Sequence, residues 1–106
     1  MGKKDVRRNF RDAVFKRDKY TCKVCSTKRD ESELDAHHIT DRNEMPNGGY
    51  VASNGITVCK GECHRKVEMY HDSGKSVSYP GLHPDDLYQM IGSSEVAAHY
   101  DSEKLK

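Results

Sequence analysis

The stretch ITVCKGECHRKVEMYH, Ile56 to His71, carries the pattern that decides the fold. It begins as a short strand from Ile56, passes through Cys59-x3-Cys63, and continues from Glu62 as a helix with Val67 and Tyr70 or His71 turned inward. Two cysteines on one turn form a hook whose thiolates bite a single metal ion. A second hook, Cys22-x2-Cys25 in YTCKVC, lies upstream, with 33 residues between the two. Two hooks make a tetrahedral four-thiolate set, the usual arrangement for structural zinc. The second hook is one residue longer than the commonest spacing, and Gly61 inside it supplies the looser turn. A finger of two cysteines and two histidines is the rival reading, because Cys22-x2-Cys25-x12-His38 begins like one. Its fourth ligand would fall at Arg42, Asn43 or Glu44, where no histidine stands.

Bulk composition argues that the chain needs such a staple. At 106 residues it is one domain at most. Only 34% of it is hydrophobic, there is no Trp, and the core it can bury is thin. The opening MGKKDVRRNF and the lack of a long apolar run speak against a signal peptide or a transmembrane helix. A secreted protein with two disulfides is therefore the weaker reading of the four cysteines, and a metal site in a cytoplasmic protein is the stronger. Structural zinc is worth on the order of 10–16 kcal/mol in apparent binding free energy. It also closes residues 26–58 into one unit.

The net charge of +1 hides an asymmetry. Residues 1–29 hold 11 Lys/Arg against 3 Asp/Glu, whereas residues 30–106 hold 7 against 14. A basic arm of this kind suits a polyanion, most often nucleic acid, although a solvated, salt-bridged helix face gives the same count.

Along the chain, Met1–Lys4 reads as a frayed end. A helix follows from Asp5, its N-cap, with Val6, Phe10, Val14 and Ala13 on the buried stripe and a stop near Asp18–Tyr20. ELDAHHIT supplies a strand over residues 34–40. DRNEMPNGGYVASNG is a turn-rich loop. Pro84 opens a helix that Gly92 ends, and Ser94 caps a last helix running to about Lys104. The boundaries are a basic helix over 1–20, a zinc-knuckle core over 20–71 and a helical extension over 72–106.

Inside the zinc-closed unit sit His37, His38, Asn54, His64 and Glu68. LDAHHI, then Asn54 in NGITVC, then CHRKVE, resembles the HNH endonucleases, with His38, Asn54 and His64 matching the three named letters in order. The match covers roughly Tyr20 to Met69, and the flanking segments look like those of small phage and bacterial members. The resemblance implies a small, zinc-stapled α+β domain: a ββα-metal core flanked by N- and C-terminal helices. It implies a metal-dependent endonuclease acting on double-stranded DNA in a bacterial or phage-infected cell, leaving 5′ phosphate and 3′ hydroxyl ends, with a phage terminase as a conceivable partner. Catalytic positions carried over are His38 as general base, Asn54 and His64. Cys22, Cys25, Cys59 and Cys63 take the structural zinc. His37 and His64 take a catalytic Mg²⁺ or Mn²⁺, with Ni²⁺ or Zn²⁺ as substitutes because histidine stands where many members have Asp.

Strand alternation agrees with a split of roles, since neighbouring side chains point to opposite faces. Glu68, one helical turn past His64, is either a third ligand or a salt-bridging helix residue. Asn54 precedes Gly55, so it is a turn residue, a brace for the base, or both. Asp35 shares a strand face with His37 and is either an acceptor for a ligand histidine or a solvent-facing acid. His71, His83 and His99 read as surface residues. Arg7, Arg8, Arg11, Arg42, Lys60, Arg65 and Lys66 are candidate phosphate contacts. A non-catalytic zinc module that binds nucleic acid is the alternative function.

Overall fold

The computed structural model describes residues 2–105. Helix α1 (Lys3–Arg17) starts two residues before the expected Asp5. Gly2 stands at its N-cap without a side-chain bond, and Asp5 instead lies in the first turn, where a carboxylate meets the positive end of the helix dipole. The buried residues are Phe10, Val14 and Phe15. Ala13, expected inside, is exposed. Phe15 takes the inward position because α1 also packs toward the cysteine knuckle, where Tyr20 lies 5.9 Å from its ring.

Strands β1 (Leu34–His38) and β2 (Gly55–Cys59) form a two-stranded antiparallel sheet in which His37 faces Ile56 and His38 faces Gly55. The first strand stops two residues short of the expected Thr40. There the Asn54 side chain, rather than a backbone partner, takes both the Thr40 N–H and its carbonyl. Every residue of β2 is buried. Its far side is closed by the end of α1: Asp18 accepts from the Thr57 N–H at 3.0 Å, and Arg17 donates to the Gly55 carbonyl at 2.6 Å. The knuckle adds Lys23 N–H to the Thr57 carbonyl at 2.9 Å.

The loop between the strands is built of short 3-10 turns at Arg42–Glu44, Pro46–Gly49 and Ala52–Asn54. Helix α2 (Glu62–Asp72) covers the sheet through Val67, with Tyr70 and His71 half-buried. Helix α3 (Pro84–Met90) is capped by His83, whose ring accepts from the Asp85 N–H at 3.0 Å while Asp86 reaches back to the His83 N–H. Helix α4 (Glu95–Glu103) is capped by Ser94, as expected. The C-terminal helices brace the loop: Asn47 donates to the Ser102 carbonyl and Ser53 to Asp101. Among the described residues no helix is long and apolar enough to cross a membrane.

Candidate functional site

The four cysteines meet where α1, the sheet and α2 converge. Their sulfurs all lie within 4.8 Å of one another, and the Cys25–Cys59 pair is 3.6 Å apart. That is far beyond a disulfide bond of about 2.05 Å. It is close to the sulfur–sulfur edge of roughly 3.8 Å that a tetrahedron with 2.3 Å zinc–sulfur bonds implies. Gly61, at φ 83°, makes the wider Cys59–Cys63 hook. The Thr27 hydroxyl lowers the Cys25 thiol to about 6, whereas burial and the neighbouring Cys22 push Cys63 up to about 12. Four sulfurs this close ionise together only beside a cation, and zinc fits the set. The Arg29 Nε donates to Cys59 Sγ at 3.1 Å, a further support for a thiolate.

A second cluster spans β1 and α2. His37 Nδ1 lies 2.8 Å from Glu68 Oε1, and His64 Nε2 lies 3.5 Å from the same oxygen. The His37–Glu68 pair is close but out of hydrogen-bond alignment, and both His37 nitrogens are buried without a partner. An orphaned buried polar group costs about 1–3 kcal/mol. Two imidazoles and a carboxylate converging within 4.8 Å are a donor set that a divalent cation fits. Burial holds His37 neutral, as a ligand requires.

Asp35 does reach a histidine, but that histidine is His64 rather than its strand neighbour His37. Its Oδ2 lies 2.8 Å from His64 Nδ1, and its Oδ1 takes Lys60 Nζ at 2.8 Å. That pairing fixes the tautomer and leaves Nε2 for a metal. Burial alone would raise the Asp35 carboxyl, but Lys60 and His64 bring it net below its usual value.

His38 turns the other way. Its ring stacks on Phe10 of α1, with centroids 4.5 Å apart at 24°, and meets Tyr50 edge-on at 4.7 Å. Burial, with the neighbouring His37 imidazole and the Arg42 charge, lowers its pKa to about 4, so the imidazole keeps a lone pair at neutral pH. Asn54 is fully buried and uses its whole amide. Nδ2 donates to the carbonyls of Thr40 at 3.0 Å and Gly49 at 3.2 Å, and Oδ1 accepts from the Thr40 N–H at 3.0 Å and the Tyr88 hydroxyl at 2.6 Å. No polar atom of Asn54 is left for a substrate; the side chain braces the chain two residues past His38.

Residues 22–69 match the family model described as HNH endonuclease. This segment is an HNH endonuclease domain. Comparison with curated proteins and with solved structures gives no significant match.

The walls of the HNH cleft include residues that sequence reasoning left out. A cavity of about 580 Å³ is lined by His37, His38, His64, Glu68 and also by Tyr50 and His71. His71, read as a surface residue, is half-buried, its ring 5.5 Å from that of His37 and its Nε2 3.3 Å from the His38 carbonyl. Its signal was present, since positions i, i+4 and i+7 from His64 share one helix face. Nothing local in the sequence marks Tyr50 or Tyr88. His83 is a helix cap and not an idle surface group, and His99 is exposed near Glu103.

The basic candidates divide. Arg7 and Arg42 line the cleft. Arg8 pairs with Asp5, Arg11 with Glu31, Lys60 with Asp35, and both Arg65 and Lys66 with Glu62. None of those five lines the HNH cleft.

Proposed function

We propose that this protein is a divalent-metal-dependent endonuclease that nicks or cuts double-stranded DNA. The observation that carries the reading is the divergence of two adjacent histidines into one cleft: His37 toward His64 and Glu68, His38 toward Phe10 and Tyr50. In-line displacement at phosphorus needs a base on the attacking side and a cation on the leaving side. His38 takes the proton of the attacking water, with its ring held between Phe10 and Tyr50. Asn54 acts as a positioning residue, fixing Thr40 and hence the end of the strand that carries His38. His37, His64 and Glu68 would hold Mg²⁺ or Mn²⁺, with Asp35 orienting His64. A cation there supplies Lewis-acid stabilisation of the leaving 3′ oxygen. Arg7 and Arg42 hold the phosphate backbone without reading sequence.

The test is plasmid nicking by wild type and His38→Ala with Mg²⁺ or Mn²⁺. Removing a general base costs about 10²–10⁴-fold in rate, with zinc content unchanged. Equal nicking by the two proteins refutes the base assignment. No nicking by either across a panel of metals leaves the non-catalytic zinc module that binds nucleic acid.

A further inference from the structure

The HNH cleft continues past Tyr50. A second cavity, of about 550 Å³, shares Arg7, Arg42 and Tyr50 with the first and extends along the start of α1 to Lys3, Val6 and Leu105. Two properties of this groove go together. Its charged lining is wholly basic: Lys3, Arg7 and Arg42, with no acid. Among the described residues none of these three cations forms an ion pair, whereas the other basic candidates do. Between the cations lie apolar and aromatic surfaces from Val6, Leu105 and Tyr50. Tyr50 also holds the two guanidinium groups at the shared rim. Arg42 donates to its hydroxyl at 3.1 Å, and although burial pushes the phenol up, Arg42 and Arg7 bring it net below its usual value.

Cations without an ion-pair partner beside apolar and aromatic side chains suit a nucleotide, which offers a phosphate anion and a base with a π-face. A small inorganic anion has no use for the apolar side chains, and an acidic peptide has none for a stacking surface. We propose that this groove is a nucleotide subsite, taking the base and phosphate that flank the cleaved phosphodiester in the same strand. The proposal rests on the nuclease reading and adds to it a preference: polynucleotides are substrates in a way that minimal phosphodiesters are not. Tyr50 joins the two sites, with one ring edge against the base histidine and its hydroxyl between the arginines.

The experiment compares zinc-loaded wild type, Lys3→Glu and Arg7→Ala on two substrates, a duplex oligonucleotide and bis(4-nitrophenyl) phosphate, with Mn²⁺. Lys3 is exposed at the helix start and lies outside the HNH cleft, so its substitution probes the groove alone. The expected result is that the oligonucleotide-to-diester ratio of kcat/KM falls about tenfold in Lys3→Glu and by at least as much in Arg7→Ala. An unchanged ratio in Lys3→Glu overturns the proposal. Oligonucleotide affinity is read in parallel by fluorescence anisotropy across a salt series without added Mn²⁺. Each lost phosphate contact lowers the slope of log K against log salt by about one. If wild type cleaves neither substrate, the nuclease reading fails by itself. The salt slope then decides the groove, a reduced slope supporting a polynucleotide site and an unchanged slope refuting it.

Discussion

Replacing Asn54→Asp alters one group and almost no volume, yet it reverses the polarity of half the side chain. The acceptor half survives, because the Thr40 N–H and the Tyr88 hydroxyl still point at an oxygen. The donor half does not, because the carbonyls of Thr40 and Gly49, at 3.0 and 3.2 Å from Nδ2, would face a second oxygen. The second oxygen of an ionised carboxylate in that place meets two acceptors and no donor, so the fold holds the introduced carboxyl protonated. One O–H serves one carbonyl, and the other is orphaned at about 1–3 kcal/mol. Keeping the proton costs 1.36 kcal/mol for each pH unit above the ordinary Asp value of about 3.9, roughly 2 kcal/mol at pH 5.5 and 5 kcal/mol at pH 7.5. The loss relative to wild type is then about 3–5 kcal/mol at pH 5.5 and 6–8 kcal/mol at pH 7.5, against a typical total of about 5–15 kcal/mol.

The sign follows from linkage. The folded-state pKa of the new group is raised above the unfolded one, so the variant loses stability as pH rises. Urea unfolding of zinc-loaded wild type, Asn54→Asp and Asn54→Ala between pH 5.5 and 7.5 measures it. Because the cysteines and histidines are common to all three, their titration cancels in the difference. Asn54→Asp should show a difference growing by about 1.4 kcal/mol per pH unit, and Asn54→Ala a difference that is flat. A flat line for Asn54→Asp would show that the amide does not sit among two carbonyls and two donors.

Three further outcomes follow from the same geometry. Cys63→Ser should abolish stoichiometric zinc in metal analysis and with it the cooperative thermal transition, since about 10–16 kcal/mol of apparent binding energy supports a thin core; a folded, zinc-free variant would refute the staple. Gly55→Ala keeps an ordinary extended backbone, but the added Cβ would lie 2.4 Å from Val14 Cγ2 and 2.7 Å from Phe10 Cε1. It should cost about 1–3 kcal/mol by denaturant midpoint, and an unchanged midpoint would mean that α1 stands further from β2. Asp35→Asn should weaken Mn²⁺ binding to the zinc-loaded protein about 10–100-fold by calorimetry, and wild-type affinity would show that His64 needs no orienting partner.

The parts of the fold that were legible in the sequence are those set by local rules. The two cysteine hooks are spacing, the start of α3 is Pro84, and the cap of α4 is Ser94. The histidine pair is legible because strand alternation alone separates His37 from His38. What stayed hidden depends on long-range partners. The end of β1 at His38 is decided by the Asn54 side chain, 14 residues beyond the Thr40 that it holds. Phe15 is inside and Ala13 outside because the knuckle sits beside α1, which no helical stripe reveals. Tyr88, 34 residues beyond Asn54, completes its hydrogen bonds from a helix that the family match does not reach. The basic count of the first 29 residues was correct as a sum but uninformative about use, because several of those charges are spent on neighbouring acids.

The closure of the second strand by α1 and the knuckle bears on how copies of this chain meet. A strand whose outer side already engages Asp18, Arg17 and Lys23 offers no template there for another chain. A second copy that sought to extend the sheet through Thr57 would first have to unzip the end of the helix that seats Phe10 on His38. Growth into a ladder across that edge and a working cleft are mutually exclusive, so a pairing of copies that retains the site must form through other surfaces.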